Sequence, residues 1–210
     1  MHDLAYEPIA AGVLILALAG LGVTRLSSSF LLYGVQTVAL GILATWMGFR
    51  HHEPLLIAVG SVVAVLKGIG IPLYLEGAAR RIECQRDPGT IIAPPLQLFV
   101  AVGALALLVL ARPFDDELRL GAIPAVGLLL LGMLLMITRR QAISQIVGFL
   151  TLENGIFLYA TTQPHSMPFI VEIGALMDVL AGAMLAGLLT FKINRSFEHI
   201  DVTRLRALRG

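Results

Sequence analysis

Apolar residues run along this chain in long, nearly unbroken stretches, interrupted by brief clusters of charged or turn-forming residues. A run of about 18 or more apolar residues is long enough to cross the hydrocarbon core of a bilayer as a helix. The pattern predicts about seven such helices, at roughly 8–26, 30–49, 54–75, 92–111, 119–138, 142–162 and 167–191. Short connections favour antiparallel neighbours. The longest loop is expected from Glu76, "EGAARRIECQRDPGT", and a second, acidic turn, "RPFDDELR", from Arg112. Pro72 is expected to kink or locally open the third helix, because proline lacks the amide that a helix interior needs.

Composition agrees with this reading. Of 210 residues, 57% are hydrophobic and 14% charged, outside the usual range for soluble domains. Spans of about 20 residues each use up most of the length and leave no room for a soluble catalytic domain. The fold class expected is therefore an all-α polytopic membrane bundle. The acidic turn is the expected boundary, dividing a four-helix membrane part, 1–115, from a three-helix module with a tail, 116–210. The N-terminal "MHDLAYEP" lacks the basic region and cleavage site of a secretory signal, so the first span is expected to be retained.

A net charge of +1 draws the chain to no polyanion, so no nucleic-acid partner is expected; the placement of the charge carries the information. With the N-terminus outside, inward segments hold eleven basic residues: Arg25, Arg80, Arg81, Arg86, Arg139, Arg140 and five from Lys192 to Arg209. Outward segments hold three, Arg50, Arg112 and Arg119. Cytoplasmic loops are enriched in Lys and Arg, so the tail is expected in the cytoplasm and the protein in the cell's inner membrane.

Four ionisable residues fall inside expected spans: Lys67, Glu153, Glu172 and Asp178. Each costs at least about 2 to 3 kcal/mol at the bilayer centre, so such groups face the bundle interior or water. At 1.5 Å rise per residue, Glu153 and Asp178 each sit about 17 Å from one end of their spans and Lys67 about 20 Å. These three share the midplane, whereas Glu172 lies only about 8 Å in. Desolvation favours the neutral form of an acid and a nearby ammonium favours the charged form. A set of such groups at one depth can load and release protons, with Asn154 and Thr151 as polar links. A buried ion pair that merely fixes helix positions, with Asn154 as interhelical glue, is the plainer alternative.

Other chemistry finds little support. The single cysteine, Cys84, permits no internal disulfide. Adjacent His51 and His52 before Glu53 lack the spacing of a helical metal site. Neither a haem ligand pair within spans nor a nucleophile triad is visible, so no cofactor, metal or catalytic centre is expected. Gly182 with Ala186, and Ala183 with Gly187, form small-residue pairs suited to close helix packing. An autonomous transporter would show internal repeats, and none is convincing.

The C-terminal half carries a resemblance. The run "LLGMLLMITRRQAISQIVGFLTLENG" resembles the first two helices of the K subunit of respiratory complex I: a glycine-containing helix, a double-arginine turn and a helix with a membrane glutamate. "GALMDVLAGAMLAGLL" resembles that family's third helix, with Asp178 followed by Gly182, and the tail "HIDVTRLRALRG" resembles its ending. A K-like module behind an N-terminal extension, with the phrase "TLENGIF", is similar to the hydrogenase-4 component E family of membrane-bound hydrogenase and formate hydrogenlyase complexes. The resemblance implies a membrane-arm subunit without a redox centre of its own. Such a subunit helps conduct protons beside antiporter-like membrane subunits while a peripheral hydrogenase supplies the redox energy. Glu153 and Asp178 would take the places of the K subunit's two membrane glutamates. Aligned on Arg139, Arg140 and Gly148, Glu153 falls three residues later than the family glutamate, and the second acid is Asp. Two other roles stay open, a non-conducting scaffold and a subunit of a multisubunit cation/proton antiporter.

Overall fold

Helices satisfy their own backbone hydrogen bonds, and the computed structural model shows that solution. It describes residues 6–81, 90–111 and 116–161, with isolated positions 174, 182, 183 and 187. The elements are α1 (Tyr6–Gly22), α2 (Leu26–His51), α3 (Pro54–Val62), a π-helical stretch (Val63–Gly70), α4 (Ile71–Arg81), α5 (Pro94–Ala111), α6 (Asp116–Thr138) and α7 (Ala142–Thr161). α3, the π stretch and α4 follow one another without a break and form a single rod. Among the described residues five helices are long and apolar enough to cross a membrane, counting the rod from Pro54 to Arg80 as one, and α1 is a shorter apolar helix. Apart from positions 174, 182, 183 and 187, the expected span 167–191, with Glu172, Asp178 and Ala186, lies outside the described residues.

Two boundaries differ from expectation. The turn between the first helices falls at Val23–Arg25 rather than at Ser27–Ser29. The serines lie in the first turn of α2, where unpaired amides tolerate polar side chains, and Ser29 Oγ donates to the Arg25 carbonyl at 3.2 Å. Further on, Glu76 to Arg81 were expected to open a loop and are instead helical. Arg80 pairs with Glu76 one turn earlier at 3.2 Å, the spacing at which opposite charges meet on a helix face. Ser27 Oγ also donates to Glu76 across the interface with α2.

Pro72 does open its rod. Its missing amide removes the α-helical bond to the Gly68 carbonyl, and the stretch before it is wound as a π-helix, with the Ile71 amide bonded five residues back to Leu66. Glycines let α2 lie almost on this rod. Gly34, Gly41 and Gly48 recur at seven-residue intervals; a Cβ on Gly41 would stand 2.6 Å from the Ala64 amide nitrogen, and one on Gly60 would stand 2.6 Å from that of Thr45. Lipid supplies no hydrophobic drive between helices, so this close backbone approach is what holds them. α6 and α7 meet in the same manner through Gly132 and Gly148.

The core forms two clusters. Tyr6, Val13, Leu21, Leu40, Leu128 and Leu158 join α1, α2, α6 and α7, while Phe30, Tyr33, Leu75, Ile143 and Leu150 join α2, α4 and α7. α7 takes part in both. It is the least apolar of the membrane-length helices and the most buried, at 67% against 11% for α5. Its polar residues are tolerated because protein, not lipid, surrounds them.

Candidate functional site

Three elements deliver the polar side chains of the site. The π stretch presents Lys67, α7 presents Glu153 and Asn154 on successive residues, and α2 presents Thr37. At 1.5 Å per residue, Thr37 and Glu153 both lie about 16 Å from the starts of their helices, so two parallel-running rods place polar groups at one level. Lys67 Nζ lies 2.6 Å from Glu153 Oε1, with the two residues only 6% and 1% exposed. Asn154 Nδ2 donates to Thr37 Oγ1 at 2.8 Å, and that hydroxyl donates to the Tyr33 carbonyl at 2.9 Å. Thr151 Oγ1 donates back along its own helix to the Val147 carbonyl at 2.8 Å.

The arrangement joins α7 to the rod by an ion pair and to α2 by an amide-hydroxyl bond, in adjacent steps along one helix. A charge-assisted contact this short is strong where little water competes. Neutral interhelical hydrogen bonds in membranes average about 0.6 kcal/mol, so the Asn154 bond orients more than it stabilises. The Asn154 carbonyl oxygen Oδ1 is buried and has no hydrogen-bond partner among the described residues, and the same holds for the Gln36 amide nitrogen Nε2 on the residue beside Thr37.

The structure therefore brings together two of the four expected ionisable residues, Lys67 and Glu153, with Asn154 beside them and Thr151 one turn below. Glu172 and Asp178 lie outside the described residues. Sequence reasoning passed over Gln36 and Thr37, although a Gln-Thr pair in mid-span was a legible signal. It also passed over the local role of Arg139. That side chain is 3% exposed and donates through Nη2 to the carbonyls of Gly20 and Leu21, both at 2.9 Å. These are among the last carbonyls of α1, which lack helical partners, and a cation there also meets the negative end of the helix dipole. His51, His52 and Glu53 form a turn. His52 takes the left-handed conformation, φ 57°, that ends α2, and Glu53 precedes the proline that starts α3.

Comparison with known proteins follows the same line. The chain is 31% identical over 192 residues to hydrogenase-4 component E of Escherichia coli K12, covering 89% of this chain and 88% of that one. It belongs to the hydrogenase-4 component E family. The component E of Shigella flexneri matches over the same span with the same identity. An uncharacterized protein of Mycobacterium tuberculosis is 32% identical over 180 residues, covering 83% of this chain and 82% of its own. No family model and no solved structure matches the chain. For a component E family member, apolar helices of membrane length are the natural frame, and the Lys67–Glu153 pair is the charged centre within it.

Proposed function

We propose that this chain is an integral subunit of a complex I-like, multisubunit membrane hydrogenase. In this reading Lys67 and Glu153 handle protons at the midplane, while redox chemistry proceeds in a peripheral arm. The observation that carries it is the 2.6 Å contact between two side chains almost wholly shielded from solvent. Removing an ammonium and a carboxylate from water costs several kcal/mol per ion, offset only by good geometry. Retaining both at the centre of a small bundle is intelligible if the pair takes part in moving protons. When the carboxylate takes up a proton the charge attraction to Lys67 is lost, and when it releases the proton the attraction returns.

Under this proposal the chain crosses the inner membrane seven times, N-terminus outside and C-terminus cytoplasmic. Residues 116–210 form the K-like module, and antiporter-like subunits lie alongside. Asp178 and Glu172 are further stations, with Asn154 and Thr151 as polar links. The close packing of α6 against α7 supports treating them as one unit. The test is Glu153→Gln in the intact complex. Assembly and hydrogenase turnover with a soluble donor are expected to persist while proton translocation into inverted vesicles is lost. Undiminished translocation in an assembled complex would refute the proposal. It would favour the second reading, a scaffold whose ion pair and Asn154–Thr37 bond only fasten helices.

A further inference from the structure

A proton-handling pair at the midplane needs a route to water, and the described residues form a candidate. A crevice with about 20 Å³ of free space lies between α1, α2, α6 and α7, room for one or two water molecules. It begins where α1 and α6 end and α2 and α7 start, beside Arg139, Ser29 and Ser144, and reaches Tyr33, Gln36 and Thr151. Thr151 lies one turn below Asn154 and two residues before Glu153 on α7; Gln36 adjoins Thr37 on α2. The inner end of the crevice thus abuts the polar layer that contains the ion pair.

Three observations bear on what fills it. Gln36 is 2% exposed, lines the crevice, and its Nε2 donor has no protein partner. Asn154 is 0% exposed and its Oδ1 acceptor has none either. Buried amide atoms are otherwise satisfied almost without exception, and water is the usual partner in a polar cavity of this size. Among the described residues the lining has no carboxylate and includes Arg139, which disfavours a bare metal cation and suits a neutral ligand that both donates and accepts.

We infer that this crevice holds bound water and is the route by which protons reach the Lys67–Glu153 pair from the Arg139 end of the bundle. The inference rests on the proposed function for the direction of its use, but not for the water itself. Ser144 and Gln36 are the residues whose polarity keeps the route wet, and Thr151 carries it to Asn154. A proton passed along this line by hydrogen-bond exchange leaves each water and hydroxyl chemically unchanged but with its O–H reversed, so no group is consumed and each must turn back before the next proton passes.

Hydroxyl-radical footprinting of the intact chain in native membranes reads the water directly, because radicals formed from bound water oxidise the nearest side chains. Tyr33 and Phe30 are both 1% exposed and lie one turn apart on α2, but only Tyr33 lines the crevice. Tyr33 is expected to be oxidised several-fold faster than Phe30, and Gln36→Leu or Ser144→Val is expected to bring it down to the Phe30 level. Equal, slow oxidation of the two in the unmodified chain overturns the inference without needing any variant to fold. Translocation by the assembled complex supplies the second arm. Gln36→Leu and Ser144→Val are each expected to slow it several-fold. If they leave it unchanged while Glu153→Gln abolishes it, the route is wrong and the role of Glu153 stands. If Glu153→Gln has no effect, the proposed function falls, and the route falls with it even if Tyr33 is wet.

Discussion

Replacing Lys67 by Met leaves the Glu153 carboxyl, 1% exposed, without its ammonium. At 2.6 Å the attraction removed is about 6 kcal/mol for an effective dielectric constant of about 20. Most of that is balanced in the native protein by the desolvation of both ions. Breaking one side of a buried pair typically costs about 3–5 kcal/mol, because the remaining charge keeps its penalty. We therefore expect Lys67→Met to lose about 3–5 kcal/mol. Adding Glu153→Gln removes the stranded charge, and the double variant should return to within about 1 kcal/mol of the parent. Unfolding of the purified chain in mixed micelles, followed against detergent denaturant, measures all four corners of the cycle. Effects of the two single variants that add to within about 0.5 kcal/mol in the double variant would refute the coupling.

Other consequences are equally direct. Gly41→Ala should destabilise the chain by about 1–3 kcal/mol, since its Cβ would meet backbone at 2.6 Å; Gly12→Ala, with nothing within 4 Å, should be neutral or gain up to about 1 kcal/mol from helix propensity, and the same denaturation assay compares them. Arg139→Leu should loosen the α1–α2 turn by about 1.5–3 kcal/mol per lost charged hydrogen bond, read as faster amide exchange at residues 20–25; Arg139→Lys should restore only part, because a point ammonium lacks the guanidinium's fork. Asn154→Leu should cost only about 1 kcal/mol while Glu153 is retained, and a loss as large as that of Lys67→Met would show the amide to be part of the charged centre.

The helices among the described residues were legible because a bilayer permits few alternatives: long apolar runs must be helices, and most of their ends fell within a few residues of expectation, while the expected span 167–191 lies outside the described residues. The exceptions have physical causes. Polar serines at 27–29 look like a turn in sequence, yet the first turn of a helix carries spare amides that accept them. The helical extension to Arg81 rests on a charge pair and on contact with α2, and neither shows as hydropathy. At the site, the depths of Lys67 and Glu153 followed from counting residues. Their pairing did not, because depth along a helix says nothing about which helix lies beside it. That depended on the glycines at 34, 41 and 48, which bring the rod carrying Lys67 against α2, and on α7 packing against α2 from another side. Asp178 was an equal candidate for Lys67 on depth alone.

The ion pair also has a consequence for how the chain is made. Ribosomes add about 5–20 residues per second, so Lys67 enters the membrane well before Glu153 has been synthesised. During that interval an ammonium stands in the third span with no counter-charge. Water defects and local thinning of the bilayer must accommodate that charge until α7 arrives. α7, the least apolar of the membrane-length helices, in turn gains a charged partner and an orienting hydroxyl already waiting within the bilayer. Membrane integration of the late helix is thus coupled to the early rod, and a chain that lost Lys67 would be exposed to quality control at the insertion step, before any question of proton transfer arises.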